Sequence, residues 1–94
     1  MARVELSRAA IGDIERLIRT HSLPPDTRDR LKASLRPLEQ FPTMGPELGG
    51  RWTGFRCVLG PWRWMLVVYV VIEEGGRVVV VTIQDGRSSA SPAT

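Results

Sequence analysis

Two runs of branched and aromatic residues, Arg63 to Ile72 and Arg77 to Gln84, flank the four residues Glu73-Glu74-Gly75-Gly76. Runs so short and so rich in valine favour extended backbone, and the glycine-bearing break between them reads as the turn of a β-hairpin. Neither run alternates polar with apolar residues, so both faces of the hairpin need cover. This pair forms the centre of a sheet, and the rest of the chain must supply a layer over it.

Upstream, Ala2, Val4 and Leu6 alternate with Arg3 and Glu5, the period of a short strand with one buried face. Ser7 then precedes Ala10, Ile11, Ile14, Leu17 and Ile18, whose spacing of three and four predicts an amphipathic helix capped by Ser7. Pro24-Pro25 ends that pattern, because consecutive prolines lack the backbone donors a helix needs. Asp26 and Asp29 read as a capping box for a second helix with Leu31, Leu35 and Leu38 on its apolar stripe and Pro37 loosening its last turn. So short a connection predicts an antiparallel helical hairpin. The proline- and glycine-rich stretch Phe41 to Gly50 is an irregular connection, and Trp52 to Leu59 reads as a further strand stopped by Gly60-Pro61.

The order β-α-α-β-β-β predicts an α+β fold, a helical hairpin packed on a mainly antiparallel four-stranded sheet. A single domain over residues 1–86 follows, with a small polar tail, residues 87–94, expected to be flexible. One sheet face is left over, to be closed either by the helices or by a partner chain.

The chain of 94 residues has room for one small core. Its longest apolar run, Trp64 to Ile72, would span roughly 14 Å as a helix against a hydrocarbon core of about 30 Å, so no membrane span is expected. The start of the chain lacks the pattern of an export signal, which points to the cytoplasm. One cysteine, Cys57, and one histidine, His21, exclude an internal disulfide framework, a cysteine-based zinc cage and a multi-histidine metal site. No cofactor or metal is expected, and Cys57 reads as a small core side chain.

Of the 13 basic residues only Lys32 is a lysine, and net charge is +3. Residues 1–47 are nearly balanced in charge, whereas residues 48–72 carry Arg51, Arg56 and Arg63 with no acid. A local surplus of arginine suits a polyanion or an acidic protein segment. Arg63 sits between Trp62 and Trp64, an arrangement that suits base stacking or, more simply, a strand whose indoles join the core. Arg28, Lys32 and Arg36 recur every four residues, either a contact stripe for an acidic partner or nucleic acid, or an ordinary solvated helix face.

Taken in order, several segments resemble the RelE/ParE superfamily of bacterial type II toxins. These are the opening strand ending Leu6-Ser7, the helix with Ala9-Ala10 and Asp13-Ile14, and the helix ending Leu38-Glu39-Gln40-Phe41-Pro42. Gly45 and Leu48-Gly49-Gly50, the hairpin bearing Arg63 and Tyr69, and Ile83-Gln84-Asp85-Gly86-Arg87 continue the likeness. The resemblance implies a toxin that inhibits growth unless a cognate antitoxin wraps it, which would also cover the spare sheet face. Its target would be DNA gyrase or the ribosome with bound mRNA.

By the same resemblance Arg56, Arg63 and Arg87 are the candidate catalytic residues, binding or stabilising phosphate. Arginine stays protonated and is a poor proton acceptor, so RNA cleavage would need another group. Ser88-Ser89-Ala90-Ser91 follows Arg87 where nucleolytic relatives carry Tyr or His. Only His21, Tyr69, Glu73 and Glu74 remain, His21 in a helix turn and Tyr69 inside an apolar strand. That departure favours a gyrase-poisoning mode, with ribosome-dependent mRNA cleavage and a degenerate antitoxin-binding module as the alternatives.

Overall fold

The computed structural model describes residues 1–87. Strand β1 (Arg3–Leu6) leads into helix α1 (Arg8–Thr20), then α2 (Thr27–Leu35) and the single turn α3 (Pro37–Gln40). Strands β2 (Arg56–Leu59), β3 (Met65–Ile72) and β4 (Arg77–Asp85) follow. They form one sheet in the order β1-β4-β3-β2, with β1 parallel to β4 and the other pairs antiparallel. The expected α+β architecture is therefore the one observed, with the valine-rich hairpin at the sheet centre. Among the described residues no helix is long and apolar enough to cross a membrane.

One face of the sheet is sealed by the helices. Met65, Val67 and Tyr69 of β3 and Val78, Val80 and Ile83 of β4 pack against Ala10, Ile14 and Leu17 of α1, Leu31 and Leu35 of α2, and Leu38 of α3. Burial of one such aliphatic side chain contributes roughly 1.5–3 kcal/mol, so this layer is the main source of stability. On the opposite face, Leu66 and Val68 are also buried, while Val70, Ile72 and Val79 are half exposed. The spare face is thus neither bare nor sealed.

The pairing of β3 with β4 slips at Val68/Tyr69, where Thr82 lies opposite Val68 but Val80 lies opposite Tyr69. Val81 is the extra residue of a β-bulge. Strand β1 ends at the same level, its last pair being Leu6 with Val80. From there α1 takes over the exposed edge of β4. The Ser7 hydroxyl accepts from the Ala10 amide as the expected helix cap and donates to the Val81 carbonyl, both at 3.1 Å. The Asp13 carboxylate then accepts from the Ile83 amide at 3.1 Å and from the Thr82 hydroxyl.

Three local expectations are corrected. Asp26 makes no side-chain cap; it pairs with Arg30 at 2.9 Å, while the Thr27 hydroxyl donates to the Pro24 carbonyl at 2.6 Å and closes the turn. Pro37 does more than loosen the helix, because its missing amide ends α2 and opens α3. The strand expected from Trp52 begins only at Arg56, since Gly50 (φ 62°) and Gly54 (φ 94°) take left-handed backbone around a tight helical turn at Gly50–Trp52. Of the tail expected to be flexible, residues 88–94 lie outside the described residues.

Because Asp13 satisfies an edge amide that no strand reaches, Asp13→Ala is expected to lower unfolding free energy in urea by about 2 kcal/mol, with Asp13→Asn losing less. Amide exchange at Ile83 should accelerate in the alanine variant. Unchanged exchange there would show that the edge is protected by something other than this carboxylate.

Candidate functional site

Arg56 lies opposite Tyr69 in the β2–β3 ladder, and its guanidinium turns back onto the preceding loop. It donates to the carbonyls of Thr43 (3.1 Å) and Gly45 (2.7 Å) and to the Glu47 carboxylate (3.3 Å). The Tyr69 hydroxyl, fully buried, accepts from the Gly45 amide at 3.0 Å. Two further backbone bonds, Leu48 amide to Phe55 carbonyl and Cys57 amide to Pro46 carbonyl, lay the same loop along the outer edge of β2. Gly45 fits there because any Cβ would collide with the Cys57 carbonyl and the Tyr69 hydroxyl. Arg56 and Tyr69 together therefore hold a loop. Burial pushes both the Tyr69 hydroxyl and the Cys57 thiol up from their ordinary ranges, which keeps both groups protonated.

Arg63 and Arg87 lie away from Arg56, at one end of the sheet. Asp85, two residues before Arg87, is opposite Met65, four positions along β3 from Tyr69. At about 3.3 Å per residue that separates the level of Arg56 from that of Asp85 by roughly 13 Å. Arg63 is exposed in the turn between β2 and β3, flanked by half-buried Trp62 and Trp64, which pack against the core. Their rings lie 6.4 Å apart and nearly parallel. Arg87 sits 5.1 Å above Trp64 and makes two charge-assisted bonds to Asp85, at 2.9 and 2.8 Å. Those bonds, with the Arg87 backbone amide, hold the Asp85 carboxyl far below the usual carboxylate range.

His21 joins this end from the helix turn. Its ring stacks on Trp64 at 4.6 Å, and its nitrogens are in hydrogen-bond range of Asp85 (3.1 Å) and the Thr20 hydroxyl (2.9 Å). Arg30 approaches the ring of Trp62 at 5.9 Å. The indole faces are thus engaged by His21, Arg87 and Arg30, which supports the reading of Trp62 and Trp64 as packing residues over that of an open stacking platform.

Of the three candidate arginines, the structure brings Arg63 and Arg87 to one end of the sheet and leaves Arg56 at its middle, opposite Tyr69. Chemically, Arg63 is the one exposed and without an ion pair among the described residues. Sequence reasoning did not find the His21–Asp85–Trp64 cluster, whose members are 64 and 43 residues from His21 in the chain; nor did it assign Asp13 its edge-sealing role.

A family model described as the ParE toxin of the type II toxin-antitoxin system parDE matches residues 4–89. No curated protein sequence matches. Among solved structures, the chain resembles the toxin-antitoxin complex RelBE2 from Mycobacterium tuberculosis at 19% identity, covering 89% of this chain and 96% of that one, with a TM-score of 0.64. It also resembles the chromosomal ParDE system from P. aeruginosa at 18% identity, covering 90% and 96%, TM-score 0.64. The intact RelBE complex from E. coli aligns at 16% identity over 94% and 100%, again with a TM-score of 0.64. At such identities the structures speak for the fold, whereas the family model spans nearly the whole chain. The chain belongs to the ParE toxin family of type II toxin-antitoxin systems, within the RelE/ParE superfamily.

Proposed function

We propose that this toxin inhibits growth without cutting RNA, as a gyrase poison, and is silenced by a cognate antitoxin. The observation that carries the reading is how the candidate groups are occupied. Arg56 is committed to loop carbonyls, Arg87 to Asp85, and the Tyr69 hydroxyl is buried against Gly45. General acid and base groups contribute on the order of 10²–10⁴ in rate and must reach the reacting proton. His21 is partly exposed, but its ring is stacked on Trp64 and its nitrogens are engaged by Thr20 and Asp85. An anion-binding role survives this occupancy for Arg63, which fits contact with a target better than phosphoryl chemistry. The antitoxin partner is supported by the solved relatives, which are toxin-antitoxin complexes.

Inducing the chain without antitoxin should give DNA breaks and filamentous cells, read by DNA integrity and microscopy, with mRNA left whole. Cuts in mRNA within the ribosomal A site would overturn the proposal in favour of nucleolysis by Arg56, Arg63 and Arg87, and unimpaired growth would leave only the binding module.

The arginines should separate under mutation. Arg63→Ala is expected to keep stability within about 0.5 kcal/mol and to reduce toxicity, since it removes an exposed charge. Arg56→Ala and Tyr69→Phe should each lose about 1–3 kcal/mol by freeing carbonyls or an amide of the loop over residues 43–47. Thermal denaturation beside a growth assay distinguishes the two effects. Full toxicity in both Arg63→Ala and Arg87→Ala would remove the arginines from the site altogether.

A further inference from the structure

The turn that carries Arg63 is fastened at both of its tryptophans. The Trp64 carbonyl accepts from the Gly86 amide at 2.6 Å, and the Trp62 carbonyl accepts from the Met65 amide at 3.0 Å. Arg63 between them is exposed and enters no ion pair among the described residues. Against the Trp64 ring lies His21, stacked at 4.6 Å with the two planes 13° apart. Helix α1 delivers it there. Ser22 takes left-handed backbone (φ 51°) and the Leu23 amide reaches back to the Ile18 carbonyl at 3.0 Å, which ends the helix with the imidazole at its C-cap.

Asp85 fixes how that ring lies. One carboxylate oxygen accepts from the Arg87 amide and Nε, both at 2.9 Å; the other is shared by Arg87 Nη2 at 2.8 Å and His21 Nε2 at 3.1 Å. An ionised carboxylate only accepts, so Nε2 carries a proton toward it, and Nδ1 faces the Thr20 hydroxyl at 2.9 Å. Hydrogen bonds at both nitrogens set the plane of the imidazole, which stacking alone would let slide. A bond to a charged acceptor is roughly twice as strong as one between neutral groups, so the bond to Asp85 governs the position of the ring. A guanidinium on a turn loses freedom when it binds, and that cost falls where the turn is already rigid.

Resting on the reading of Arg63 as a target contact, we propose that His21 is a positioning residue. Its Nε2 bond to Asp85 sets the imidazole against Trp64, and that stack holds the turn that presents Arg63 to an anionic group of the target.

The test compares the purified full chain with its variants by backbone NMR relaxation and, in cells lacking antitoxin, by growth. His21→Gln keeps an amide donor near the place of Nε2 without a ring, and His21→Phe keeps a ring without the donor. The order parameter at Arg63 should stay near about 0.85 in the unmodified chain and in His21→Gln, and fall below about 0.6 in His21→Phe and His21→Ala. The last two should need about tenfold more protein to arrest growth, the equivalent of about 1.4 kcal/mol at one contact. Val67 and Val80, buried in the core, should keep their order throughout. Asp85→Asn, which removes one acceptor oxygen without touching α1, should loosen Arg63 in the same way and serves if position 21 proves necessary for folding. Rescue by phenylalanine rather than glutamine would make His21 a packing residue and overturn the proposal, as would unchanged order at Arg63 in every variant. Arg63→Ala in the same growth assay separates the two readings. If it abolishes arrest while His21→Ala stays fully toxic, positioning by His21 fails and the target contact stands; if Arg63→Ala is itself fully toxic, the target contact fails and this inference with it.

Discussion

The outer edge of β4 is divided between a strand and a helix, and the hand-over occurs at the Val81 bulge. Up to Val80 the edge is paired with β1; beyond it, Ser7 and Asp13 of the α1 segment supply the hydrogen bonds. An unpaired valine-rich edge would be a template for association with other chains. Side-chain oxygens on α1 close it without adding a strand, and by doing so fix α1 against the sheet. The register of α1 places Ala10, Ile14 and Leu17 over the β3–β4 core, and the end of the helix places His21 against Trp64. Both the sealed core and the cluster at the far end of the sheet thus follow from where β1 stops.

The arginines illustrate how a fold can hold similar residues in dissimilar roles. Arg56 donates to two carbonyls of the preceding loop, so its charge is tied to the protein's own backbone. Arg87 is neutralised by Asp85 and covers an indole. Arg63 keeps its charge in solvent because tryptophans on either side anchor the turn that carries it. A count of basic residues cannot distinguish these cases; the distribution of acceptors around each guanidinium does.

Much of the fold was legible in the sequence because it depends on periodicity. The alternation of Ala2, Val4 and Leu6, the helical spacing from Ala10 to Ile18 and the glycine break after Glu74 each specify local backbone directly. The Ser7 cap was legible for the same reason. What could not be read were effects set by partners distant in the chain. Asp26 looked like a helix cap but found Arg30, and the strand expected from Trp52 was shortened by the left-handed glycines at 50 and 54. The candidate site was less legible still. Residue type suggested Arg56, Arg63 and Arg87 together, whereas their separation follows from strand register, which hydrophobic pattern alone does not fix for runs apolar on both faces.

The parallel pairing of β1 with β4 joins the first element of the chain to the last among the described residues. Contacts between such distant segments close late and slow the search for the native state. During synthesis the helices and opening strand leave the ribosome well before their sheet partner exists, so the nascent chain waits, unfinished, for Arg77 to Val80. That delay is an interval in which the apolar faces of α1 and α2 have no sheet to cover them.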